Sequence, residues 1–390
     1  MPVSATLAAH QVVEERRRAG LPVLPMSFGQ AGIPVHPLLL EAFADAGGRN
    51  GYGPVAGDPV LRAAAAGYWT RRGLPTEPEQ VLAGPGSKAL LYASLHAVGG
   101  DVVLPRPSWV SYAQQVALLG HRAIHVLIHP DEGGVANPGL VPPDARAMVM
   151  TLPDNPTGRL ASADTVRAAC ELARERDLVI VSDEIYRDLC YGDEFVSPAE
   201  IAPERTIVTT GLSKSLALGG WRIGVARFPE GPLFDRALTV AGELWSCPAV
   251  PVQAAAALGF AEPAPLRSYV DKARRLYERI NTAVADRFAT AGARIAMPQA
   301  AFYSYPDLSP LVEGAAPEVA ARLLDDHGLA LLPGTAFGEQ ADSLRFRVAT
   351  GQLTGETDDQ RRQALDSADP LVLPWIAGAL DRLTEILGSL

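Results

Sequence analysis

The feature of this sequence that most constrains its fold is an alternation of short apolar runs and helical patterns between about residues 80 and 226. The apolar runs end in Gly, Pro or a polar residue, and segments such as residues 163–175 between them carry apolar side chains at helical spacing. The runs are residues 80–83, 101–104, 147–152, 178–183, 206–210 and 222–226. This alternation predicts an α/β fold with a mostly parallel, doubly wound sheet that carries helices on both faces.

A second, smaller unit follows the proline-containing stretch at residues 262–265. Its patterns are a charged helix at 266–290, strand-like runs at 294–297, 301–305 and 344–349, and an apolar helix at 374–387. The first 45 residues contain Pro22, Pro25, Pro34 and Pro37 and do not fit the large sheet, so they are expected to pack against the C-terminal unit or a second subunit. We therefore predict an N-terminal arm at 1–45 that forms part of the small domain, a large domain at 46–262, and a small α+β domain at 263–390.

Composition and charge exclude several classes of protein. The formal net charge is −10, which gives no basic surface for a nucleic acid backbone. No apolar run approaches the ~18 residues of a membrane span. Charged residues at 14–18 precede any long apolar stretch, the wrong order for a signal peptide. The three cysteines are widely spaced, which suits neither a disulfide framework nor a zinc cluster. We expect a cytoplasmic protein with no metal, no nucleic acid partner and no membrane partner.

Polar residues directly follow several of the predicted strands. In an open α/β sheet, ligands bind beyond the carboxyl ends of the strands, so these residues are expected to share one crevice. They are Gly84-Pro85-Gly86-Ser87-Lys88, Asp154-Asn155, Asp183-Glu184-Ile185-Tyr186 and Ser213-Lys214. The glycine-rich turn before a helix is typical of an anion site, although an ordinary strand-to-helix turn remains open. The turn lacks the spacing of a nucleotide-binding loop, which favours a single phosphate.

Lysine is rare in this chain, and that gives weight to Lys214. Of the 34 basic residues, the lysines are Lys88, Lys214 and Lys272. A neutral amine can form a Schiff base, whereas a guanidinium cannot. The position of Lys214 after a strand therefore favours a Schiff-base lysine over a solvated one, while Lys272 lies in a charged helical stretch and is interpreted as a solvated side chain.

Together these residues resemble the pyridoxal 5'-phosphate (PLP) aminotransferases of fold type I, class I/II, and within them the bacterial aspartate-aminotransferase-like branch. The resemblance runs from about Leu24 to the C-terminus. Its most specific segments, in chain order, are Pro105-Arg106-Pro107-Ser108-Trp109-Val110-Ser111-Tyr112, Asn155-Pro156-Thr157-Gly158, Ser182-Asp183-Glu184-Ile185-Tyr186, Ser213-Lys214 with Gly220-Trp221-Arg222-Ile223-Gly224, and Leu344-Arg345-Phe346.

The resemblance implies the roles of the catalytic residues. Lys214 would form the internal aldimine and then act as the base for proton transfer. Asp183 would face the pyridine nitrogen and favour the protonated ring, which is the better electron sink. Tyr186 and Asn155 would hydrogen-bond the phenolic oxygen of the ring, and Trp109 would stack on the ring.

The resemblance also implies a phosphate site and a dimer. Gly86, Ser87, Ser213 and Arg222 would hold the phosphate, since a planar guanidinium suits phosphate oxygens. Tyr52 would reach the phosphate of a neighbouring subunit, which predicts a homodimer with shared active sites.

The implied substrates are an L-amino acid and a 2-oxo acid. Arg345 would bind the α-carboxylate, and Asn155, Trp109 and Gly29 would border the substrate. Lys88 contributes to the cofactor site, contacts a distal carboxylate of the substrate, or is an ordinary lysine on the helix surface.

The sequence departs from the family at residues 28–33 and at Trp245, which leaves an aromatic or bulky substrate open as well as an acidic one. The function implied is ping-pong transamination. A PLP-dependent lyase or cyclase uses the same residues and is the alternative, and a non-catalytic PLP-binding regulatory module is a remote one.

Overall fold

A computed structural model describes residues 5–128, 132–192 and 195–390 of the chain. All the residues that the sequence singles out for the site lie within these ranges. Among the described helices, not one combines the length and the apolar character that crossing a bilayer requires.

The helices and strands of the described residues follow one another along the whole chain. The α-helices are α1 (Ala5–Arg18), α2 (Pro37–Asp45), α3 (Pro59–Thr70), α4 (Ser87–Val98), α5 (Ser111–Leu118), α6 (Ala163–Glu175), α7 (Pro198–Ile201), α8 (Pro232–Leu244), α9 (Val250–Ala261), α10 (Ala264–Thr290), α11 (Ala316–His327), α12 (Asp358–Asp366) and α13 (Pro374–Gly388). The strands are β1 (Leu24–Pro25), β2 (Val81–Gly84), β3 (Val102–Arg106), β4 (Ala123–Leu127), β5 (Ala147–Thr151), β6 (Val179–Asp183), β7 (Thr206–Gly211), β8 (Gly224–Arg227), β9 (Tyr303–Ser304), β10 (Leu329–Ala330), β11 (Leu332–Pro333) and β12 (Phe346–Ala349).

The large sheet of the described residues has seven strands in the order β2-β8-β7-β6-β5-β3-β4. Neighbouring strands from β7 through β6, β5 and β3 to β4 are parallel, and β8 runs antiparallel to both β2 and β7. The predicted fold class, a mostly parallel α/β sheet, is confirmed.

Strand β5 shows why helices cover both faces of this sheet. Successive side chains of a strand point to opposite faces. Met148 and Met150 pack into the cluster that contains Val166 of α6, whereas Val149 packs into the cluster that contains Leu91 of α4. Because both faces of β5 are buried in apolar clusters, the strand is apolar at every position before its last residue.

Helix α6 illustrates how local sequence sets an element, and its bounds are those predicted. The side chain of Ser162 accepts a hydrogen bond from the backbone N–H of Thr165 and caps the helix N-terminus. Val166, Ala169 and Ala173 lie on the buried side, at the spacing of one helical face.

The elements that differ from the sequence-based expectation include one predicted strand that does not form and one strand of the large sheet that was not predicted. The strand-like run at 294–297 is not a strand, because its only sheet-type pairing among the described residues is a single bridge between Arg294 and Asp307, and Pro298 then removes a donor. The edge strand β4 was not predicted, since its central His125 is exposed and interrupts the apolar pattern.

The N-terminal segment packs on the C-terminal part of the chain. Strand β1 pairs in parallel with β10, and strands β11, β12 and β9 form an antiparallel sheet. Leu24 and Met26 lie in one apolar cluster with Phe302, Val348 and Leu383. These contacts agree with an N-terminal arm that joins the small domain, and the exact domain boundaries stay a prediction.

Candidate active site

A cleft with a volume of about 580 Å³ lies at the carboxyl ends of the strands of the large sheet. Elements of the small C-terminal unit and the segment after β1 close its other side. The predicted site residues that line it are Gly29, Ser87, Lys88, Trp109, Asn155, Asp183, Tyr186, Ser213, Lys214 and Arg222. Residues separated by as many as 193 positions in the sequence, such as Gly29 and Arg222, are therefore brought to one place.

Lys214 follows β7 and points its amine into the cleft. Its Nζ donates a hydrogen bond to the carbonyl oxygen of Gly29 at 2.6 Å. Desolvation of the ammonium form, and next the nearby Arg347 cation, lower the pKa of Lys214 to about 8, although Asp183 acts in the opposite direction. A substantial fraction of this amine is thus neutral in mildly alkaline solution, which is the form that attacks an aldehyde carbon.

Asp183 ends β6 and is buried, with 3% of its surface exposed. Its Oδ2 accepts a hydrogen bond from the Tyr112 hydroxyl at 3.0 Å, and its Oδ1 accepts one from the Thr209 hydroxyl at 3.4 Å. Burial raises the pKa of Asp183 to about 6, and the hydrogen bond from Tyr112 is the largest influence that opposes this rise. The carboxyl group is therefore mainly ionised at neutral pH and can hold a positive charge in the cleft.

The N-terminus of α4 forms one end of the cleft and has the features of an anion-binding site. No side chain caps this helix, whose first residue is Ser87. The preceding residue, Gly86, has φ 89°, and a Cβ there would lie 2.5 Å from Nη2 of Arg222. Arg222 also donates to the carbonyl oxygen of Pro85 at 3.3 Å. Free backbone N–H groups, a helix dipole and a guanidinium thus meet where only glycine leaves room.

Two aromatic side chains and an amide line the middle of the cleft. The buried Tyr186 hydroxyl lies 2.8 Å from the hydroxyl of Tyr303. The indole of Trp109 lies edge-on to the ring of Tyr112, with 5.3 Å between ring centres. Asn155 uses its Oδ1 to accept a hydrogen bond from Nη1 of Arg347 at 3.0 Å. The flat face of Trp109 and the polar groups of Tyr186 and Asn155 suit a planar heteroaromatic ligand.

Arg345 is not in the cleft, and this corrects the expected position of the carboxylate-binding arginine. The Arg345 side chain is 51% exposed and pairs with Glu339 at 3.1 Å. Arg347, two residues further on, is 1% exposed and lines the cleft. Residues two apart on a strand share a face, but Arg345 precedes β12 and lies at its outer end, so only Arg347 reaches the interior.

Sequence reasoning missed Arg347, Tyr112 and Tyr303. Arg347 stands in the same Arg-Phe-Arg stretch as Arg345, so strand alternation offered a signal without deciding between the two arginines. Tyr112 lies in the segment that carries the resemblance, but nothing in the sequence indicates that it contacts Asp183. Tyr303 lies in a run that the sequence marks only as strand-like, and nothing in that pattern indicates a place in the site.

Tyr52 lies outside the cleft, and 94% of its surface is exposed. The expectation that it reaches the phosphate of a neighbouring subunit stays a prediction.

The charges around the cleft are strongly unbalanced. Its lining contains the cations Lys88, Lys214, Arg222 and Arg347, and its one carboxylate among the described residues is Asp183. Among the ion pairs within 4.0 Å that the described part of the chain forms, none involves any of these four cations. Clustered cations without a carboxylate partner favour anionic ligands.

Comparison with known proteins agrees with this geometry. Residues 27–365 match the family model described as aminotransferase class I and II. The chain belongs to the class I and II aminotransferases. It is 34% identical to an aspartate/prephenate aminotransferase of Thermus thermophilus over 348 residues, and this alignment covers 86% of this chain and 89% of that protein. It is 32% identical over 382 residues to an aspartate aminotransferase of Geobacillus stearothermophilus, covering 92% and 95%.

The structure of this aminotransferase also matches solved ones. The aspartate aminotransferase from Thermus thermophilus with maleate superposes with a TM-score of 0.87 at 30% identity, over 99% of this chain and 97% of that chain. The family and the named relatives confirm the predicted activity, PLP-dependent transfer of an amino group between an amino acid and a 2-oxo acid. They do not favour the lyase, cyclase or regulatory alternatives.

The residues present fit the cofactor that the family implies. A phosphate fits the uncapped start of α4 beside Arg222, where any side chain at Gly86 would fill the space. A ring cation fits beside the buried Asp183 carboxylate, and an aldehyde fits beside the partly neutral amine of Lys214. The family therefore implies PLP in this cleft.

Proposed function

We propose that this cleft binds PLP, which Lys214 would hold at its aldehyde and Asp183 at its ring nitrogen. When bound, the cofactor supplies an electron-accepting ring that stabilises negative charge developing at the substrate Cα. The observation that carries the proposal is the set of unpaired cations around one buried carboxylate and one low-pKa amine. The phosphate would be held by Ser87, Ser213, Arg222 and the backbone at Gly86.

In this proposal the side chains of the cleft transfer the proton, hydrogen-bond the cofactor and shield it from water. Lys214 Nζ would take the proton from the substrate Cα and later return it. Tyr186 and Asn155 would donate hydrogen bonds to the phenolic oxygen of the cofactor. Trp109 would lie against the cofactor and shield it from water.

We assign the substrate α-carboxylate to Arg347 in place of Arg345. The Arg347 guanidinium is buried and donates to neutral acceptors, the carbonyl oxygen of Ser27 at 2.7 Å and the Oδ1 of Asn155 at 3.0 Å. Its Nε is buried without a hydrogen-bond partner. Arg345, in contrast, already has a carboxylate partner in Glu339. A buried cation that lacks a counter-ion is stabilised by a carboxylate from the substrate.

We further propose that one of the substrates is dicarboxylic. Lys88 is exposed at the cleft rim, its Nζ lies 4.9 Å from the centre of the Trp109 ring, and no carboxylate of the described residues pairs with it. The relatives named above act on aspartate according to their names. A second carboxylate on the substrate would supply the missing partner of Lys88.

The proposed assembly is a cytoplasmic homodimer in which Tyr52 of one subunit completes the phosphate site of the other. Support comes from the exposure of Tyr52, whose ring would otherwise remain almost wholly in solvent.

The test is a half-reaction assay on the purified protein supplied with PLP. Each of the twenty amino acids is added singly, and conversion of the cofactor to its amine form is followed by absorbance. We expect conversion with aspartate or glutamate, and none with Lys214→Ala, because that variant lacks the amine proposed to bind the cofactor and to move the proton.

Lys272→Ala is the matched control, since Lys272 pairs with Asp366 on the surface at 2.6 Å and should leave conversion unchanged. Release of ammonia and a 2-oxo acid from a single amino acid would instead indicate a lyase. A Lys214→Ala variant that still converts the cofactor at the wild-type rate would contradict the assignment.

A further inference from the structure

Tyr303 lies where three parts of the proposed site meet. It is 1% exposed, it belongs to β9, and it lines the cleft. Its side chain contacts Tyr186, Arg347 and Gly29, which come from the turn after β6, from β12 and from the segment after β1. We infer that Tyr303 is a positioning residue whose hydroxyl orients that of Tyr186 and whose ring holds the guanidinium of Arg347.

The backbone of Tyr303 is fixed, so its side chain has a defined position. Strand β9 pairs with β12, where Tyr303 is opposite Ala349. The carbonyl oxygen of Tyr303 accepts a hydrogen bond from Nδ2 of Asn281 at 2.9 Å, and Oδ1 of Asn281 accepts one from Ser304 at 2.9 Å. A buried side chain on a backbone held from two sides can direct its neighbours without moving.

The hydroxyl of Tyr303 has two acceptors within reach. It lies 2.8 Å from the Tyr186 hydroxyl and 3.4 Å from the carbonyl oxygen of Gly29. A hydroxyl has one proton to donate. When Tyr303 donates to Gly29, Tyr186 can donate to Tyr303. When Tyr303 donates to Tyr186, the proton of Tyr186 is free to point into the cleft. Tyr303 therefore allows Tyr186 to donate to a ligand, and it strengthens that hydrogen bond because the two bonds are in series.

The ring of Tyr303 contributes in a different way. The central carbon of the Arg347 guanidinium lies 4.9 Å from the centre of the Tyr303 ring and 5.1 Å from the centre of the Phe337 ring. Two aromatic rings therefore flank the guanidinium. They stabilise its charge while it lacks a carboxylate partner, and they leave its N–H edge available to one.

Gly29 is the residue that makes room for this arrangement. A Cβ at position 29 would lie well inside van der Waals contact with the Tyr303 hydroxyl. The Gly29 carbonyl also accepts the hydrogen bond from Lys214 Nζ. The segment after β1 is thus shaped around the Tyr303 hydroxyl on one side and the amine on the other.

This inference rests on the proposed function, and its first test uses the colour of the PLP-loaded protein. The pH midpoint of the absorbance change is measured for the wild type, Tyr303→Phe and Tyr186→Phe. A hydrogen bond to the phenolic oxygen of the cofactor favours loss of the proton from the nitrogen that joins Lys214 to the cofactor. Weakening this hydrogen bond therefore raises the pH midpoint. We expect Tyr303→Phe to raise the midpoint by about 0.1 to 0.7 pH unit, in the same direction as Tyr186→Phe and by less.

The second test measures the affinity of the loaded protein for maleate, a dicarboxylate that carries no amino group. Tyr303→Phe keeps the ring, so its dissociation constant should stay within about twofold of the wild-type value. Tyr303→Leu removes the ring from Arg347, and we expect the dissociation constant to rise by about 2- to 30-fold. Rescue of maleate affinity by phenylalanine but not by leucine separates the role of the ring from that of the hydroxyl.

Tyr305→Phe is the matched control. The Tyr305 hydroxyl donates to Glu339 at 3.1 Å and touches neither Tyr186 nor Gly29. The Tyr305→Phe variant should leave both the pH midpoint and maleate binding unchanged, while it loses about as much thermal stability as Tyr303→Phe. A Tyr186→Phe shift without any Tyr303→Phe shift, or equal maleate affinity in all three Tyr303 proteins, would overturn the inference while leaving the proposed function intact. A wild-type protein that forms no coloured complex with PLP would instead contradict the proposed function.

Discussion

Asp154 is a buried carboxyl group that the proposed chemistry does not use. It is 0% exposed, next to Asn155 in the turn after β5. Its Oδ2 accepts hydrogen bonds from the backbone N–H of Thr157 at 3.2 Å and from the Thr157 hydroxyl at 2.5 Å, while its Oδ1 is buried without a partner. Burial raises the pKa of Asp154 to about 7. The ionised form of Asp154 therefore lowers the free energy of unfolding.

The direction of the pH effect follows from the raised pKa. The unfolded chain loses the Asp154 proton at about pH 4 and the folded chain only at about pH 7, so this carboxyl group destabilises the fold increasingly as pH rises between the two values. Asp154→Asn keeps the shape and removes the charge. We expect the free energy of unfolding of the variant, minus that of the wild type, to grow by about 2 to 3 kcal/mol from pH 5 to pH 8.

Urea unfolding of both proteins without cofactor at pH 5, 6, 7 and 8 measures this gain. Asp183 also titrates in this range, but it is present in both proteins and cancels from the difference. A gain that is the same at every pH, or that grows toward low pH, would show that Asp154 is not the group responsible.

Strand β12 decides which arginine enters the cleft. The strand begins at Phe346, and its pairing with β11 places Arg347 opposite Leu332 inside the small sheet. Arg345 is left outside, where Glu339 neutralises it. Two positions along the chain thus separate a buried cation without a carboxylate partner from a half-exposed arginine that pairs with the largely buried Glu339.

The matched substitutions Arg347→Gln and Arg345→Gln test this difference. Because a charge-assisted hydrogen bond contributes about 1.5 to 3 kcal/mol, we expect Arg347→Gln to lower kcat/KM for the amino acid by about 10- to 150-fold. Arg345→Gln removes the half-exposed partner of Glu339, and because neither side chain lines the cleft, kcat/KM should change by less than about fivefold. Steady-state kinetics with aspartate measures both, and the opposite ranking would assign the substrate carboxylate to Arg345.

At the scale of the whole molecule, the distribution of charge contrasts with its total. The chain carries a net charge of −10, yet the lining of its cleft has four cations and one carboxylate among the described residues. The cleft field therefore attracts small anions to a protein that repels large polyanions. Amino acids with an additional carboxylate, 2-oxo acids and a phosphorylated cofactor are all ligands of this kind.

The proposed sharing of active sites between subunits predicts that two damaged variants complement each other. In a mixed dimer of Lys214→Ala and Tyr52→Ala chains, one site has an intact Lys214 together with the partner's Tyr52, and the other site lacks both. We expect the heterodimer, purified through two different tags after co-expression, to be more active than either homodimer.

The comparison with Lys214→Ala plus Lys88→Ala chains serves as a control, since Lys88 lines the same cleft as Lys214. That mixed dimer should contain one site damaged at Lys214 and one damaged at Lys88, and should gain nothing beyond the Lys88→Ala homodimer. Heterodimers of the first pair that are no more active than the Tyr52→Ala homodimer would show that Tyr52 serves its own subunit or none.

The sequence by itself determined the sheet and the residues at its carboxyl edge. Apolar runs define β5, β6 and β7, and parallel strands carry whatever follows them to the same edge, so the order of residues along the chain is enough to place Asn155, Asp183 and Lys214 together. Only the tertiary structure decided the roles of Arg347 and Tyr303, because their positions depend on how the small unit packs against the large sheet. Arg347 meets Asn155 across 192 residues of chain. No local pattern encodes which of two neighbouring arginines makes that contact, since strand alternation treats both alike and only the point where β12 begins separates them.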